Sequence, residues 1–405
     1  MKRMTAAGLL VAAMLLLMTG CKEDTAASLY DPNYKSAPQP VVSAITSSHG
    51  TVTFAGISIL TISGQNFSAV PSENLVYFDQ TKAVVLEASP TQLKVKAPIL
   101  VKDSIQMKIA VQNAAKYSDV KLVRIDAAVK EYGGLGVTEE AVGMATDAAG
   151  NLYASMKIAG AGNGIRKYDA TTDAGTQYAP SGGVTQWTGL KVGPGGVLYG
   201  ARVQRALYTI PAQGVPVLWA QAAGSSLTDL DFGPGAEYIY AVGNNANIYR
   251  FKVSDKSVAT YPFTALLRSV RVFNGYVYVA GKQDSTEGVW RFKLNADGSL
   301  GAAELFFNLS AQPGYMYNGP TANAITFNKK GEMYLGTSGA DAILLVAPDG
   351  KSAQSYYPGL FTPSTISFAW GKGSTLYAAR GGDAAVKTII KINTLEEGAP
   401  YYGAQ

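Results

Sequence analysis

The sequence predicts an all-β protein in which an immunoglobulin-like sandwich is followed by a six-bladed β-propeller. Its 405 residues include 44 glycines and 24 tyrosines, a composition typical of short strands joined by tight turns. Residues 40–126 contain a series of short alternating runs, whereas residues 127–405 repeat one strand pattern six times. A chain of this length exceeds one ordinary compact domain, so a small domain beside a repeat array accounts for it.

The chain begins like an exported lipoprotein. Lys2 and Arg3 precede an apolar run over residues 6–18, which has the length of a signal peptide and is short for a permanent membrane helix. The sequence Met18-Thr19-Gly20-Cys21 resembles a bacterial lipobox, with methionine where leucine is commoner. The resemblance implies that residues 1–20 are a lipoprotein signal peptide and that Cys21 is lipidated. An ordinary signal peptide followed by an incidental cysteine is the alternative.

The residues after Cys21 predict where the protein is displayed. Lys22-Glu23-Asp24 looks like the acidic export signal of surface lipoproteins in Bacteroidetes-type bacteria. This likeness implies a protein that is lipid-anchored in the outer membrane and faces the cell exterior, with the lipid as its only contact with the membrane. Residues 21–39 contain Pro32 and Pro38 and have no periodic pattern, so they predict a flexible tether.

Residues 40–126 predict a small antiparallel sandwich. About seven short runs alternate apolar and polar residues, with turn residues between them. Gly64-Gln65-Asn66-Phe67, the turn and strand at residues 89–93 and the closing Ala97-Pro98 resemble the IPT/TIG immunoglobulin-like family. In surface lipoproteins such domains usually act as spacers, and the scattered acidic residues of this segment indicate no catalytic site.

Six repeated units predict the propeller of residues 127–405. Each unit has an alternating strand, a glycine-containing turn and a strand with a tyrosine, followed by a third and mostly a fourth strand. The repeated tyrosines are expected to pack between neighbouring sheets, because they recur at one place in every unit. They are Tyr153, Tyr199, Tyr240, Tyr278, Tyr334 and Tyr377.

The repeats resemble those of NHL and SMP-30-like six-bladed propellers, in which a phrase such as that of residues 147–153 (DAAGNLY) recurs. A propeller must join its two ends, and two segments are candidates for the strand that closes the ring. Residues 128–132 (AVKEY) precede the first unit, and residues 400–403 (PYYG) lie near the end of the chain. The sequence pattern leaves both candidates open.

Composition excludes several kinds of site. The net charge of +5 is modest and no basic cluster occurs, so no nucleic-acid partner is expected. Cys21 is the only cysteine, which excludes an internal disulfide and a cysteine-rich zinc site. His49, the only histidine, lies in a turn of the sandwich, so the propeller has no histidine for acid–base catalysis.

Ligand-binding residues are expected where the loops before the first strands and between the second and third strands open on one propeller face. Aromatic rings suit the C–H faces of sugars, amides suit their hydroxyls, and several arginines favour acidic sugars. The longest loop, residues 308–323, offers two tyrosines as a stacking platform. A solvated polar rim is the alternative. The candidate ligand-binding residues are Trp187, Arg202, Arg205, Arg268, Tyr315, Tyr317, Asn318, Asn323 and Arg380.

The propeller resemblance also suggests an enzymatic alternative. SMP-30-like lactonases hold a divalent metal with a glutamate, an asparagine and an aspartate at the mouth of the channel. Glu140, Asp229 and Asn323 occupy comparable first-strand positions, and such oxygen ligands would suit Ca²⁺. The flanking motifs of the lactonases are absent. We therefore expect no catalytic residue and no cofactor, with a Ca²⁺ site as the alternative.

The order of anchor, tether, spacer and propeller resembles that of surface glycan-binding lipoproteins that accompany polysaccharide-uptake systems. The resemblance implies a non-catalytic protein whose partner is a polysaccharide or oligosaccharide, captured for an outer-membrane transporter complex. A protein-interaction scaffold in such a complex is the second interpretation. A Ca²⁺-dependent lactonase or hydrolase is the third, since fold alone does not establish function.

Overall fold

The computed structural model of the chain describes Asn33, residues 35–313, Tyr315 and residues 319–402. The signal peptide, Cys21, Tyr317 and Asn318 lie outside the described residues. The described chain is all-β, as predicted, and its helical content is limited to three 3-10 turns at Pro71–Glu73, Pro194–Gly196 and Pro234–Ala236. No helix in these ranges is long and apolar enough to cross a membrane.

Eight strands form the sandwich. They pair as two four-stranded antiparallel sheets, one in the order first, second, sixth, fifth and the other in the order fourth, third, seventh, eighth. The strands are β1 (Val41–Ser47), β2 (Ile59–Gln65), β3 (Asn74–Phe78), β4 (Thr81–Lys82), β5 (Val84–Ser89), β6 (Gln92–Lys96), β7 (Lys102–Val111) and β8 (Lys121–Ile125).

Alternation along these strands builds the core of the sandwich. In β7, Ile105, Met107 and Ile109 are fully buried, whereas the intervening Gln106 is exposed. Successive side chains of a strand point to opposite faces, so this pattern covers one face and leaves the other in water. The buried side chains of β7 pack in one cluster with Ile62 of the opposite sheet.

The remaining strands form the propeller. They are β9 (Val129–Tyr132), β10 (Glu139–Thr146), β11 (Leu152–Ile158), β12 (Ala161–Tyr168), β13 (Gly175–Ala179), β14 (Gly189–Val192), β15 (Leu198–Ala201), β16 (Ala206–Ile210), β17 (Val217–Gln221), β18 (Leu227–Phe232), β19 (Tyr238–Lys252), β20 (Val258–Phe273), β21 (Tyr276–Gln283), β22 (Thr286–Leu294), β23 (Leu300–Asn308), β24 (Ala322–Phe327), β25 (Met333–Thr337), β26 (Ile343–Val346), β27 (Ala353–Ser355), β28 (Thr365–Trp370), β29 (Thr375–Arg380) and β30 (Thr388–Asn393).

These strands make six antiparallel blades. Four blades are separate sheets, formed by β10–β13, β14–β17, β24–β27, and β28–β30 with β9. The third and fourth blades are joined in one six-stranded sheet, β18–β23. They are joined because β20 pairs with β19 as far as Leu266 and with β21 from Leu266 onward. The first strand of each blade packs beside the next around the ring, and β28 packs beside β10.

The strand that closes the ring comes from the N-terminal side of the propeller. β9 pairs with β30 as the fourth strand of the sixth blade, with Tyr132 opposite Ile389. The ring of Tyr132 is buried between Tyr168 and Tyr377, whose centroids lie 5.5 and 4.9 Å away. Of the two candidates, residues 128–132 are therefore the closing segment, and residues 400–402 cross one end of the channel instead.

The repeated tyrosines pack between neighbouring sheets, as predicted. All six are at most 8% exposed. Tyr199 of the second blade meets Phe232 of the third edge to face at 5.2 Å, and Tyr334 of the fifth meets Trp370 of the sixth at 5.6 Å. Edge-to-face pairs of this kind add about 0.5–1.5 kcal/mol each to the burial of the rings. The tyrosines therefore belong to the core and not to a ligand site.

Candidate functional site: the polar face of the propeller

One end of the propeller carries most of the polar residues that the sequence singles out, and we call it the polar face. The antiparallel register places the start of each first strand beside the end of its second strand, as in the pairs Glu140–Lys157 and Thr365–Arg380. We define the polar face by the side chains of Glu139, Glu140, Lys157, Arg202, Arg205, Arg268, Glu287, Asn323, Arg380 and Lys387.

The carboxylates of the polar face form ion pairs with lysine and arginine side chains. Glu140 of the first blade accepts from Lys157 Nζ at 2.9 Å and from Lys387 Nζ of the sixth blade at 3.0 Å. Burial alone would raise the pKa of Glu140, but the hydrogen bonds from both lysines and from the Gly382 amide outweigh it and hold that pKa below its ordinary value. Glu140 therefore links the first and sixth blades, and its negative charge is already balanced by two lysines.

Two further carboxylates of this face, those of Glu139 and Glu287, form ion pairs with arginines. Arg166 Nη2 lies 2.6 Å from Glu139 Oε1, and this bond lowers the pKa of Glu139. Arg268 pairs with Glu287, and Glu287 also accepts from the Ala322 amide at 2.8 Å. Arg268 Nη1 also donates to the Ala322 carbonyl at 3.3 Å, so Arg268 and Glu287 together join the fourth and fifth blades, and the guanidinium is already bonded to a carboxylate.

Three arginines of the polar face differ from these paired residues. Arg202 packs its guanidinium 4.7 Å above the ring of Tyr208 and donates to the Tyr208 hydroxyl at 3.2 Å. Arg205 is exposed, and Arg380 is partly exposed. Within the described residues none of the three forms an ion pair, whereas Arg166, Arg268 and Arg271 all do. They are cations of the polar face that remain open to an acidic ligand.

The two aromatic candidates that the structure describes, Trp187 and Tyr315, are not exposed. Trp187 is 1% exposed and packs in the core between the first two blades, and its backbone amide donates to Ser155 Oγ at 2.9 Å. Tyr315 is half-buried, and its hydroxyl donates to Asp341 Oδ2 at 3.1 Å; burial raises its pKa to about 12. Tyr317 and Asn318 lie outside the described residues.

The structure does not bring the three candidate metal ligands into one cavity. Asp229 is buried and accepts from Arg271 Nη1 at 2.8 Å, Ser269 Oγ at 3.0 Å and the Val270 amide at 3.0 Å. Asn323 accepts from Thr321 Oγ1 at 2.7 Å. Asp229 and Asn323 line one small cavity together with two arginines, and Glu140 is not part of its lining. Ca²⁺ takes about six to eight oxygen ligands, and the Asp229 and Glu140 carboxylates are already bonded to cations, so this donor set fits Ca²⁺ poorly.

Inside the channel lies an ionic network that the sequence analysis missed. Lys191 Nζ is 3.1 Å from Asp231 Oδ1, and Arg271 pairs with Asp229, all four residues lying on first strands. Burial lowers the pKa of Lys191. Burial also opposes charge on Arg271, yet the carboxylates of Asp229 and Asp231 raise its pKa above the ordinary value. The sequence did carry a signal for this network, namely charged residues within apolar first strands. Asp229 and Asp231 lie in "DLDF", and Arg271 lies in "VRV".

Comparisons with known proteins agree with this architecture. Residues 40–123 match the model of the IPT/TIG domain, which confirms the predicted nature of the sandwich. No curated protein matches the sequence. A solved structure of an auxiliary nutrient binding protein from Bacteroides thetaiotaomicron is 11% identical, with 90% of this chain and 98% of that chain covered and a TM-score of 0.51.

Two further solved structures share the fold. A putative phosphatase from Bacteroides thetaiotaomicron is 11% identical, with 91% of this chain and 99% of that chain covered and a TM-score of 0.58. Regucalcin, a calcium-binding protein from Agrobacterium tumefaciens, is 14% identical, with 66% and 94% covered and a TM-score of 0.51. At such identities the likeness shows the fold alone, and in the two Bacteroides structures it extends over about nine tenths of this chain.

Proposed function

We propose that this protein is a surface lipoprotein that captures an acidic polysaccharide on the polar face for an outer-membrane uptake system, without catalysis. The observation that carries the proposal is the set of three arginines, Arg202, Arg205 and Arg380, that have no carboxylate partner in the described chain. A similar fold in a protein described as nutrient binding supports a binding role for this architecture.

The chemistry of these arginines favours carboxylate or sulfate groups on a sugar. A guanidinium offers a rigid fork of donors that matches such groups bidentately, and hydrogen bonds of this type are about twice as strong as neutral ones. The ring of Tyr208 packs against the guanidinium of Arg202. Part of the conformational entropy of the Arg202 side chain is therefore already lost before a ligand binds. Glu139, Glu140 and Glu287 of the polar face are each paired with a cation, which weakens their repulsion of an acidic chain.

The same geometry supports binding without hydrolysis. A glycosidase needs one carboxylic acid to donate a proton and a second, free carboxylate. Glu139, Glu140 and Glu287 are each bonded to a cation, and the pKa values of Glu139 and Glu140 are lowered and not raised. Such groups are poor proton donors at neutral pH. We therefore expect a bound polysaccharide to be recovered at its original length, also in the presence of Ca²⁺.

Removing the three free arginines should abolish capture of acidic polysaccharide. In affinity electrophoresis against polygalacturonate, alginate and chondroitin sulfate, we expect at least one polymer to retard the protein. The triple variant Arg202→Gln, Arg205→Gln, Arg380→Gln should lose on the order of 100-fold in affinity or more, since each charged hydrogen bond contributes about 1.5–3 kcal/mol.

The matched control removes the same number of charges elsewhere. Lys293, Lys351 and Lys372 are exposed lysines away from the polar face, and replacing all three by glutamine should leave the retardation nearly unchanged. Equal losses in the two triple variants would show a non-specific charge effect and contradict the proposal. A protein that no acidic polymer retards, but that co-purifies with a transporter, would favour the scaffold interpretation.

The surface location is a separate prediction that rests on Cys21. Mass spectrometry should show a mature chain that lacks residues 1–20 and carries acyl groups on Cys21. Cys21→Ala should release the protein from the membrane fraction, because the chain then has no lipid attachment. Protease added to intact cells should degrade the wild-type protein. An intact Met1 or an unmodified Cys21 in the purified protein would contradict the anchor and the proposed location.

A further inference from the structure

A cavity of about 580 Å³ opens on the propeller face opposite the polar face. This volume lies within the range of about 300–1,000 Å³ that is usual for small-molecule sites. Three of its walls are the turns between first and second strands of the third, fourth and fifth blades, at residues 232–235, 272–275 and 329–331. The fourth wall is Pro400–Tyr402, the C-terminal segment that crosses the end of the channel.

The C-terminal segment is held in place by bonds along its length. The Thr394 amide donates to the Ser374 carbonyl at 2.8 Å, and the Ala399 amide donates to the Phe327 carbonyl at 3.0 Å. Tyr401 is buried in the mouth of the channel, where its hydroxyl accepts from the Phe327 amide at 2.6 Å. Because Tyr401 is fixed inside, the next residue, Tyr402, is presented at the cavity wall.

The cavity offers aromatic surface that is supported from behind. Tyr402 is 38% exposed, and its ring packs against Phe232 at 5.5 Å with an interplanar angle of 40°. Phe273 is partly exposed and stacks on Phe327 at 4.6 Å. Such rings lose little conformational entropy when a ligand stacks on them, because their neighbours already restrict them.

The charges around the cavity cancel. Lys329 pairs with Glu397 and Lys330 pairs with Glu396, so both lysines of the lining are neutralised by the C-terminal segment. The exposed amide of Asn274 is an uncharged donor and acceptor at the rim. Gly235 and Gly275 have positive φ, and a Cβ at either would meet no atom within 4 Å, so the space beside these two turns is open.

We infer that this cavity is a second binding site of the propeller and that it takes a short neutral oligosaccharide. Supported ring faces suit the C–H faces of sugars, and the amide and open backbone turns suit their hydroxyls. A phosphate or carboxylate ligand would require a free cation, and both lysines of the lining are paired. The inference does not rest on the proposed function, because the two sites lie on opposite faces and use different residues.

Calorimetric titration of the full-length mature chain with maltotriose, cellotriose, xylotriose and mannotriose tests the site. We expect at least one of these trisaccharides to bind saturably. Tyr402→Ala should weaken that binding about tenfold, the equivalent of about 1.4 kcal/mol. Tyr402→Phe, which keeps the ring, should retain it. Tyr117→Ala is the matched control, since Tyr117 is a 51% exposed tyrosine of the sandwich and its loss should change nothing.

Two more measurements separate this site from the polar face. Asn274→Asp keeps the shape of the side chain but removes its donor, so it should also weaken trisaccharide binding, whereas the triple arginine variant should bind the trisaccharide like wild type. Failure of all four trisaccharides to bind would overturn the inference. Equal binding by Tyr402→Ala and Tyr117→Ala would do the same, and so would loss of binding in the triple arginine variant.

Discussion

Arg271→Met should destabilise the propeller by about 3–5 kcal/mol, because it leaves the Asp229 carboxylate charged and unpaired in the channel. Arg271 is 4% exposed, and its Nη1 lies 2.8 Å from Asp229 Oδ2. Two carboxylates, Asp229 and Asp231, would then face Lys191 as the remaining cation of the network. Equilibrium unfolding in urea, followed by tryptophan fluorescence, measures the change.

The control for this prediction is an exposed pair of the same type. Arg291 Nε lies 2.9 Å from Glu304 Oε2, and the two side chains are 30% and 54% exposed. Arg291→Met should therefore change the free energy of unfolding by at most about 1 kcal/mol. The double variant Arg271→Met, Asp229→Asn should recover part of the loss, since the amide oxygen still accepts from Ser269 and Val270. Equal effects of the two arginine substitutions would contradict the prediction.

This prediction bears on any enzymatic test. Asp229 is one of the three residues that the lactonase resemblance suggested as metal ligands, but in the structure it is a buried, bonded group of the channel. An Asp229→Ala variant with reduced activity would therefore be ambiguous unless its folded fraction is measured. The distinction matters because loss of a buried charge partner commonly removes a large part of the 5–15 kcal/mol that stabilises a domain.

A chain that begins at Gly133 should fail to form a cooperatively folded propeller, whereas one that begins at Asp126 should form it. The two differ by residues 126–132, which contain the closing strand β9. Without β9 the edge of β30 is unpaired and the ring is open, which exposes a strand edge to aggregation. Loss of the buried Tyr132 ring alone removes packing of the kind that costs about 3–5 kcal/mol.

Thermal melts and size-exclusion chromatography of the two truncated chains measure this effect. Both lack the sandwich, so any contribution of that domain is the same in each. The chain from Asp126 keeps Ala128, whose carbonyl accepts from the Asn393 amide at 2.7 Å. A single cooperative transition and a monomeric elution of the chain from Gly133 would contradict the assignment of β9 as the closing strand.

Much of the fold follows from local sequence pattern. The period-two alternation of residues 40–126 predicted a sandwich, and the structure has two four-stranded sheets there. The six repeats predicted six blades, and their tyrosines predicted packing between sheets; both are confirmed. These features could be predicted because strand alternation and blade repeats arise within one contiguous stretch of chain. The one sandwich strand that the sequence did not predict is β4, which has only two residues and is too short to show such a pattern.

The candidate site was predicted less completely. The sequence predicted Arg202, Arg205 and Arg380 as ligand-binding residues, which stays a prediction. It also predicted Trp187 and Tyr315, of which one is buried in the core and the other is half-buried and bonded to Asp341. It did not indicate that Lys387 neutralises Glu140, a contact between residues 247 positions apart. The sequence suggested residues 400–403 only as a possible closing strand, whereas in the structure Tyr402 lines a cavity.

The sequence by itself determined the two-domain all-β architecture, the number of blades and the absence of histidine from the propeller. Only the tertiary structure decided which strand closes the ring, which arginines are free and where the C-terminal segment lies. The reason is physical: a repeat defines its own local hydrogen bonding and core, but the partner of a charge on one blade comes from another blade. Glu140 and Lys387 meet only because the ring closes, and Tyr401 meets Phe327 only because the C-terminal segment crosses the end of the channel.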